Sequence, residues 1–146
     1  MSRTFSEYCV YTIKQSEELE ERAKNRQPAT FTVWRSWATG ERLWREAVAA
    51  KKAMPVLLGD ATDCSRLLYW GFLTNVQVDG NETSFSIGQV RAMKDKHSPQ
   101  ELILRSTGRK IKPKFIRPYA ICRTPEFLTS KSAVEHCKQL RQTASI

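Results

Sequence analysis

The chain is poor in the residues that most often carry chemistry. It has only two histidines, His97 and His136, and neither is expected to have an acidic residue as its orienter. Four cysteines are present, Cys9, Cys64, Cys122 and Cys137, and none forms a CxxC pair. Zinc-ligand spacing is therefore absent, and the cysteines read as buried thiols of a reducing compartment. GxSxG, HExxH, a Walker loop and GxGxxG are all missing, so the sequence offers no familiar nucleophile, zincin, P-loop or dinucleotide site. No cofactor and no metal are expected. No run approaches the roughly 18–20 apolar residues needed to span a bilayer. The opening MSRTFSEYCV lacks the charged-then-apolar layout of a signal peptide. These absences place the expected protein in the cytoplasm, away from the membrane.

What is present begins with size and charge. A chain of 146 residues with 40% hydrophobic content suits one domain, 1–146, closed by a C-terminal helix within 124–146. The net charge of +9 is unevenly placed. Residues 1–90 hold 11 cations and 11 acids, so they are neutral. Residues 91–123 hold ten cations against Asp95 and Glu101, a net of +8. Charge that only kept the chain soluble would be spread more evenly; this distribution marks a local basic surface.

Hydrophobic periodicity gives the elements. TFSEYCVYTI alternates, with Phe5, Cys9, Tyr11 and Ile13 on one face of a strand. SEELEERAKNR has acids first and cations last, as a helix dipole prefers, with Ser16 as a candidate cap. It has almost no apolar face, which predicts a surface helix or arm. ATFTVWR is a short strand. ATGERLWREAVAAKKAM is the strongest helix, with Thr39 as its expected cap, Leu43, Trp44, Ala47, Val48 and Lys51 on one side, and a Glu41–Arg45 pair. PVLL and RLLYWGFLTNVQV follow as strands, the latter apolar at both parities and so covered on both faces at its start. DGNE is a turn, and TSFSIGQVRAM returns, giving a hairpin over roughly Leu67–Met93. KDKHSPQ reads as a loop, ELILRS as a strand or short helix, STGRK as a turn, FIRPYAIC as an edge strand, and TPEFLTSKSAVEHCKQLRQ as a closing helix. The expected class is α+β, with a mixed, curved sheet or pseudo-barrel and flanking helices.

Two groups of residues stand out as candidate binding elements. The segment RSTGRKIKPKFIRP carries Arg105, Arg109, Lys110, Lys112, Lys114 and Arg117 and no acid. On extended backbone the even-numbered lysines share a side, at a spacing of about 6.5–7 Å that can follow phosphates. Arg109 and Arg117 can also grip a phosphate with two parallel hydrogen bonds. The alternative is a solvated basic loop. The second group is aromatic: Trp34 and Trp37 flank Arg35, and Tyr69 and Trp70 lie in the doubly apolar strand. Aromatic faces stack on any nucleobase; the alternative for Trp44 and Trp70 is core filling. Asp60 and Asp63 in GDATD read as turn residues, although with Glu82 they are the candidate metal ligands of a nuclease reading.

A strand, a capped helix, Gly59–Asp60, an apolar strand containing Tyr69, and Gly88–Gln89–Val90 in the returning strand follow in that order. In this the chain, over about Ala29 to Cys122, resembles the PUA-like superfamily, which includes the PUA, ASCH, EVE and YTH domains. The resemblance implies a small mixed β-barrel with flanking helices that binds RNA or DNA. In EVE and YTH members an aromatic pocket holds a modified base, and Trp34, Trp37 and Trp70 are the residues here that such a pocket would use. The combined expectation is a non-enzymatic nucleic-acid-binding module, with phosphates held by Arg35 and the basic segment and a base stacked on Trp34, Trp37, Tyr69 or Trp70. A protein-interaction adaptor that presents the basic face to an acidic protein partner is the alternative.

Overall fold

The computed structural model of the protein describes residues 4–14, 16–60, 66–112 and 119–129. The elements are β1 (Tyr8–Lys14), α1 (Ser16–Asn25), β2 (Ala29–Val33), α2 (Ala38–Ala49), β3 (Pro55–Asp60), β4 (Leu67–Asp79), β5 (Glu82–Ile87), β6 (Arg91–His97), a 3-10 turn (Pro99–Glu101), β7 (Tyr119–Arg123) and α3 (Glu126–Thr129). The strands form one mixed sheet in the order β2-β5-β4-β3-β1-β7, with β6 also paired to β4. The pairing of β1 with β3 is parallel, and the chain crosses between them through α1, β2 and α2. The α+β class holds, but among the described residues the sheet does not close into a barrel.

The strand β4 organises the sheet. Its first half pairs with β3 on one side and β6 on the other, and its second half pairs with β5. The turn between β4 and β5 has Gly80 at φ +63°, the position that a II′ hairpin turn reserves for glycine. The strand β6 resumes the pairing of β5 after a break at residues 88–90. It runs through Lys94 and Lys96 to His97, so the polar run read as a loop is mostly strand. The pairing with β4 is made at Arg91, Ala92 and His97, and the register shifts across the residues between them.

Strand alternation puts one apolar cluster on each face. Val10, Val56, Leu58 and Ile121 face the helices, together with Phe31, Phe85, Trp37 and Met54. Cys9, Tyr11, Leu57, Trp70 and Phe72 face the other way, with Phe5 and Ile13 packed beside them, as the β1 periodicity implied. Leu102, Ile111 and Leu128 cover this second cluster. The start of β4 is covered on both faces as expected, with Tyr69 in one cluster and Trp70 in the other.

The helices depart from expectation in three ways. Leu19 is fully buried and Ala23 packs beside it, so α1 is docked on the core by a narrow stripe. In α2 the cap position is Trp37, with no side-chain cap bond, and Thr39 lies inside the first turn. Val48 is exposed, because the buried side of α2 runs through Gly40, Leu43, Trp44 and Ala47. The Glu41–Arg45 pair does form, at 3.8 Å, and the Glu41 carboxylate also accepts from the Val78 amide at 3.0 Å. That second bond ties α2 to the sheet. Beyond Thr129, the expected closing helix with His136 and Cys137 lies outside the described residues.

Candidate functional site

The described part of the basic segment, up to Lys112, folds with the residues before it as a hairpin on the sheet rather than as a free loop. Its entry is a capped turn: Ser98 Oγ accepts from the Gln100 amide, and Glu101 Oε2 accepts from the Ser98 amide at 2.6 Å. His97 Nδ1 meets Glu101 Oε1 at 3.1 Å, and its ring lies flat on Phe127 with centroids 3.7 Å apart. Partial burial acts to raise the Glu101 pKa, but the Ser98 amide, His97 and Lys110 outweigh it and hold the carboxyl below the usual range. His97 thus has the acidic partner that the sequence reading did not expect, four residues further on and brought to it by the capped turn, and it is a structural residue of this turn.

Past the turn, Leu102 and Ile111 are both buried in the second cluster, and the Ile111 amide donates to the Leu102 carbonyl at 2.9 Å. The Leu104 amide donates to the Arg109 carbonyl, and Gly108, at φ +69°, turns the chain between them. The outer edge of β7 holds the first arm: the Arg105 amide donates to Ile121 and the Arg123 amide to Ile103, both at 2.9 Å. The arm thus extends the sheet by a further short strand, with Leu104 beside Cys122. Two buried apolar residues clamp the base, and the tip from Arg105 to Lys110 is exposed.

This geometry presents cations. Arg105, Arg109, Lys110 and Lys112 are all exposed, with Ile111 turned inward between the two lysines. Among the described residues none of these four makes a salt bridge. Glu101, close enough to Lys110 for its carboxyl to be stabilised by it, is engaged by Ser98 and His97. The Arg105 guanidinium lies 5.2 Å from the centre of the Tyr8 ring, and Arg123 is opposite Tyr8 in the β1–β7 register. Neither Tyr8 nor Arg123 stood out in the sequence, because only strand register brings them to the hairpin. Lys114 and Arg117 lie outside the described residues.

The aromatic candidates separate sharply. Trp34 is 81% exposed and Trp37 only 1%. Trp37 is sandwiched between Phe85 and Tyr119, with centroids at 4.5 and 4.8 Å, so neither face can receive a base. Its indole N–H is buried without a hydrogen-bond partner among the described residues. The Tyr119 hydroxyl accepts from the Gly40 amide at 3.0 Å, and burial, opposed by that bond, raises its pKa. Trp70 is buried beneath Arg91, whose guanidinium lies 5.4 Å from its ring centre, and Tyr69 is half-buried against the first cluster. The expected cage of Trp34, Trp37 and Trp70 does not assemble: Trp34 alone of the four stacking candidates is exposed.

Thr83 explains the split between Trp34 and Trp37. Its buried hydroxyl donates to the Arg35 carbonyl at 2.6 Å and accepts from the Trp37 amide at 3.0 Å. This clamp fixes the loop after β2 with Trp37 turned in, and leaves Trp34, Arg35 and Ser36 exposed. The loop follows β2, at the opposite end of the strand order from the basic hairpin.

The other candidates are quickly placed. Cys9 and Cys122 face each other across β1 and β7 as buried free thiols. Burial, reinforced by Cys122, raises the Cys9 thiol well above its ordinary value, and burial pushes Cys122 up to about 12. Neither is disposed to act as a thiolate. Glu82 lies beside the β4–β5 turn, and among the described residues no cluster of three metal-ligating side chains occurs. Asp63, Cys64 and the side chain of Asp60 are outside the described residues. Among the described residues no helix is long and apolar enough to cross a membrane. Comparison with protein-family models and with curated proteins finds no match to this chain.

Proposed function

We propose that this protein is a nucleic-acid-binding module whose basic hairpin holds phosphates. The observation that carries this reading is the set of four exposed cations, Arg105, Arg109, Lys110 and Lys112, fixed on a clamped hairpin with no salt bridge among the described residues. Cations held this way have no carboxylate partner among the described residues to give up when a polyanion binds, and the backbone that carries them is already fixed. Arg123 and Arg35 add exposed guanidinium groups, and Trp34 offers an open face for a single-stranded or flipped base. The resemblance to PUA-like domains supports the same reading. Residues 1–90 are electrically balanced, so the hairpin region also sets the direction of approach of an anionic chain.

The test is affinity for short single-stranded and duplex RNA and DNA across a salt series. If the four described cations each neutralise a phosphate, log K falls with log salt with a slope of about −3 on single strands. Replacing Lys110 and Lys112 by Gln should weaken binding to all sequences alike and make the single-strand slope shallower by about 1.4. Absence of binding at low salt would remove this reading and leave the cationic edge as a docking face for an acidic protein.

A further inference from the structure

The strand β2 ends the sheet. It pairs with β5 on one side, and among the described residues nothing pairs with its other side. The turn after β4 makes Asp79 and Glu82 a hydrogen-bonded pair, and every second pair along the β4–β5 ladder repeats it. Thr83, Phe85 and Ile87 therefore bond towards β2, which commits the backbone groups of Val33, Phe31 and Ala29. The amides and carbonyls of Thr30 and Thr32 point outward. Natural sheets protect such edges with lysine, proline or a bulge. ATFTV has none of these, and shortness is its sole defence. The five residues of the strand carry no charge of their own, and the cations near it, Lys14 and Arg22, lie over the Phe31 ring, 5.0 and 5.8 Å from its centre.

We propose that two copies of this chain pair along β2, antiparallel, about a two-fold axis at Phe31. The edge fits itself. Full overlap of the five residues puts Thr30 of each copy opposite Thr32 of the other, so their outward amides and carbonyls exchange hydrogen bonds. On the outer face Thr30 already meets Ser86 at 3.0 Å and Thr32 meets Ser84 at 3.3 Å. Pairing continues those hydroxyl rows from one copy to the next. The same register sets exposed Trp34 opposite exposed Pro28 of the second copy, at both ends of the seam. Proline has no amide to lose there, and its ring gives the indole an apolar partner. A second copy is the occupant that fits, because the two-fold register repeats the same threonine and Trp34–Pro28 partners in both halves of the seam.

The experiment is sedimentation over a wide concentration range, on the wild-type chain and two double variants. The wild type should move from monomer to dimer. Thr30→Lys with Thr32→Lys places like charges opposite each other twice and should weaken association about tenfold or more. Thr30→Lys with Thr32→Glu places opposite charges in the same two positions and should restore it. All four side-chain changes are at exposed positions, and circular dichroism checks that each variant is folded. A wild type that stays monomeric up to its solubility limit overturns the proposal. So does a dimer indifferent to the paired lysines, which would use another surface. Failure of the Lys–Glu variant to recover would overturn the register about Phe31. The proposal does not depend on the nucleic-acid reading.

Discussion

The two ends of the sheet are finished in opposite ways. Beyond β7 the chain folds back as a hairpin that extends the edge, buries Leu102 and Ile111, and covers the outer surface with cations. Beyond β2 nothing among the described residues follows, the strand carries no charge, and the next residue is an exposed tryptophan. The first end is protected as sheet edges usually are, by charge that repels another strand. The second has no such protection. One sheet therefore offers two different surfaces, an electrostatic one and a backbone one. They can serve different partners without competing, since strands β5, β4, β3 and β1 lie between them.

The comparison can be broken most severely at Trp37. Its replacement by alanine should cost about 3–5 kcal/mol, since it empties the space between Phe85 and Tyr119. Replacement of Trp34, three positions earlier and exposed, should change stability by less than about 0.5 kcal/mol. Urea unfolding measures both, and similar values for the two would contradict the inward and outward placement. Trp37→Phe should cost clearly less than Trp37→Ala, because it also removes a buried N–H that has no partner among the described residues.

At the other end, Ile111→Ala should cost about 2–4 kcal/mol by opening a cavity in the cluster under the hairpin. Hydrogen exchange at the Leu104 and Gly108 amides should rise in the same variant, if the buried base is what holds the tip. Unchanged protection would mean that the edge bonds to Ile121 and Arg123 suffice. Thr83→Val should cost about 2 kcal/mol, as it removes two buried hydrogen bonds and leaves Arg35 and Trp37 backbone groups without a partner. Its readout is again unfolding, together with near-ultraviolet circular dichroism of the tryptophans.

The smallest effect belongs to Glu101. Its pKa is held down in the folded protein, so the stability it contributes is fully present above the usual carboxylate range of about 4.3. That contribution is lost as pH falls through the lower folded value. Glu101→Gln should therefore lower stability modestly near neutrality, where the wild type holds the full contribution, and flatten the acid limb, so that the two proteins converge at low pH. A variant with the wild-type acid slope would show that other carboxylates set it.

Much of the molecule was legible because the signals were local. The alternation in TFSEYCVYTI placed Cys9 and Tyr11 on one face, and Asp79–Gly80 fixed a turn whose φ only glycine adopts easily. The both-sided apolar start of β4 announced two covered faces. Counting charges alone found the basic third, since formal charge does not depend on folding. These features were decided by the sequence itself, through steric preference, periodicity of two or 3.6 residues, and composition.

Tertiary structure decided the rest. Trp34 and Trp37 stand in near-identical sequence surroundings, and only Thr83, from a strand 46 positions beyond Trp37, turns one inward and frees the other. KDKH has the composition of a loop and is carried within β6 because its two ends are anchored on β4, Ala92 opposite Tyr69 and His97 opposite Leu67. Leu19 alone was too sparse a stripe to predict docking, yet one leucine suffices when the sheet supplies the other wall. Arg105 meets Tyr8, and Arg123 stands opposite it, because β1 and β7 are neighbours in space, about a hundred residues apart in the chain. In each case the deciding partner is distant in sequence, and contact energy between distant segments is not written in any local window.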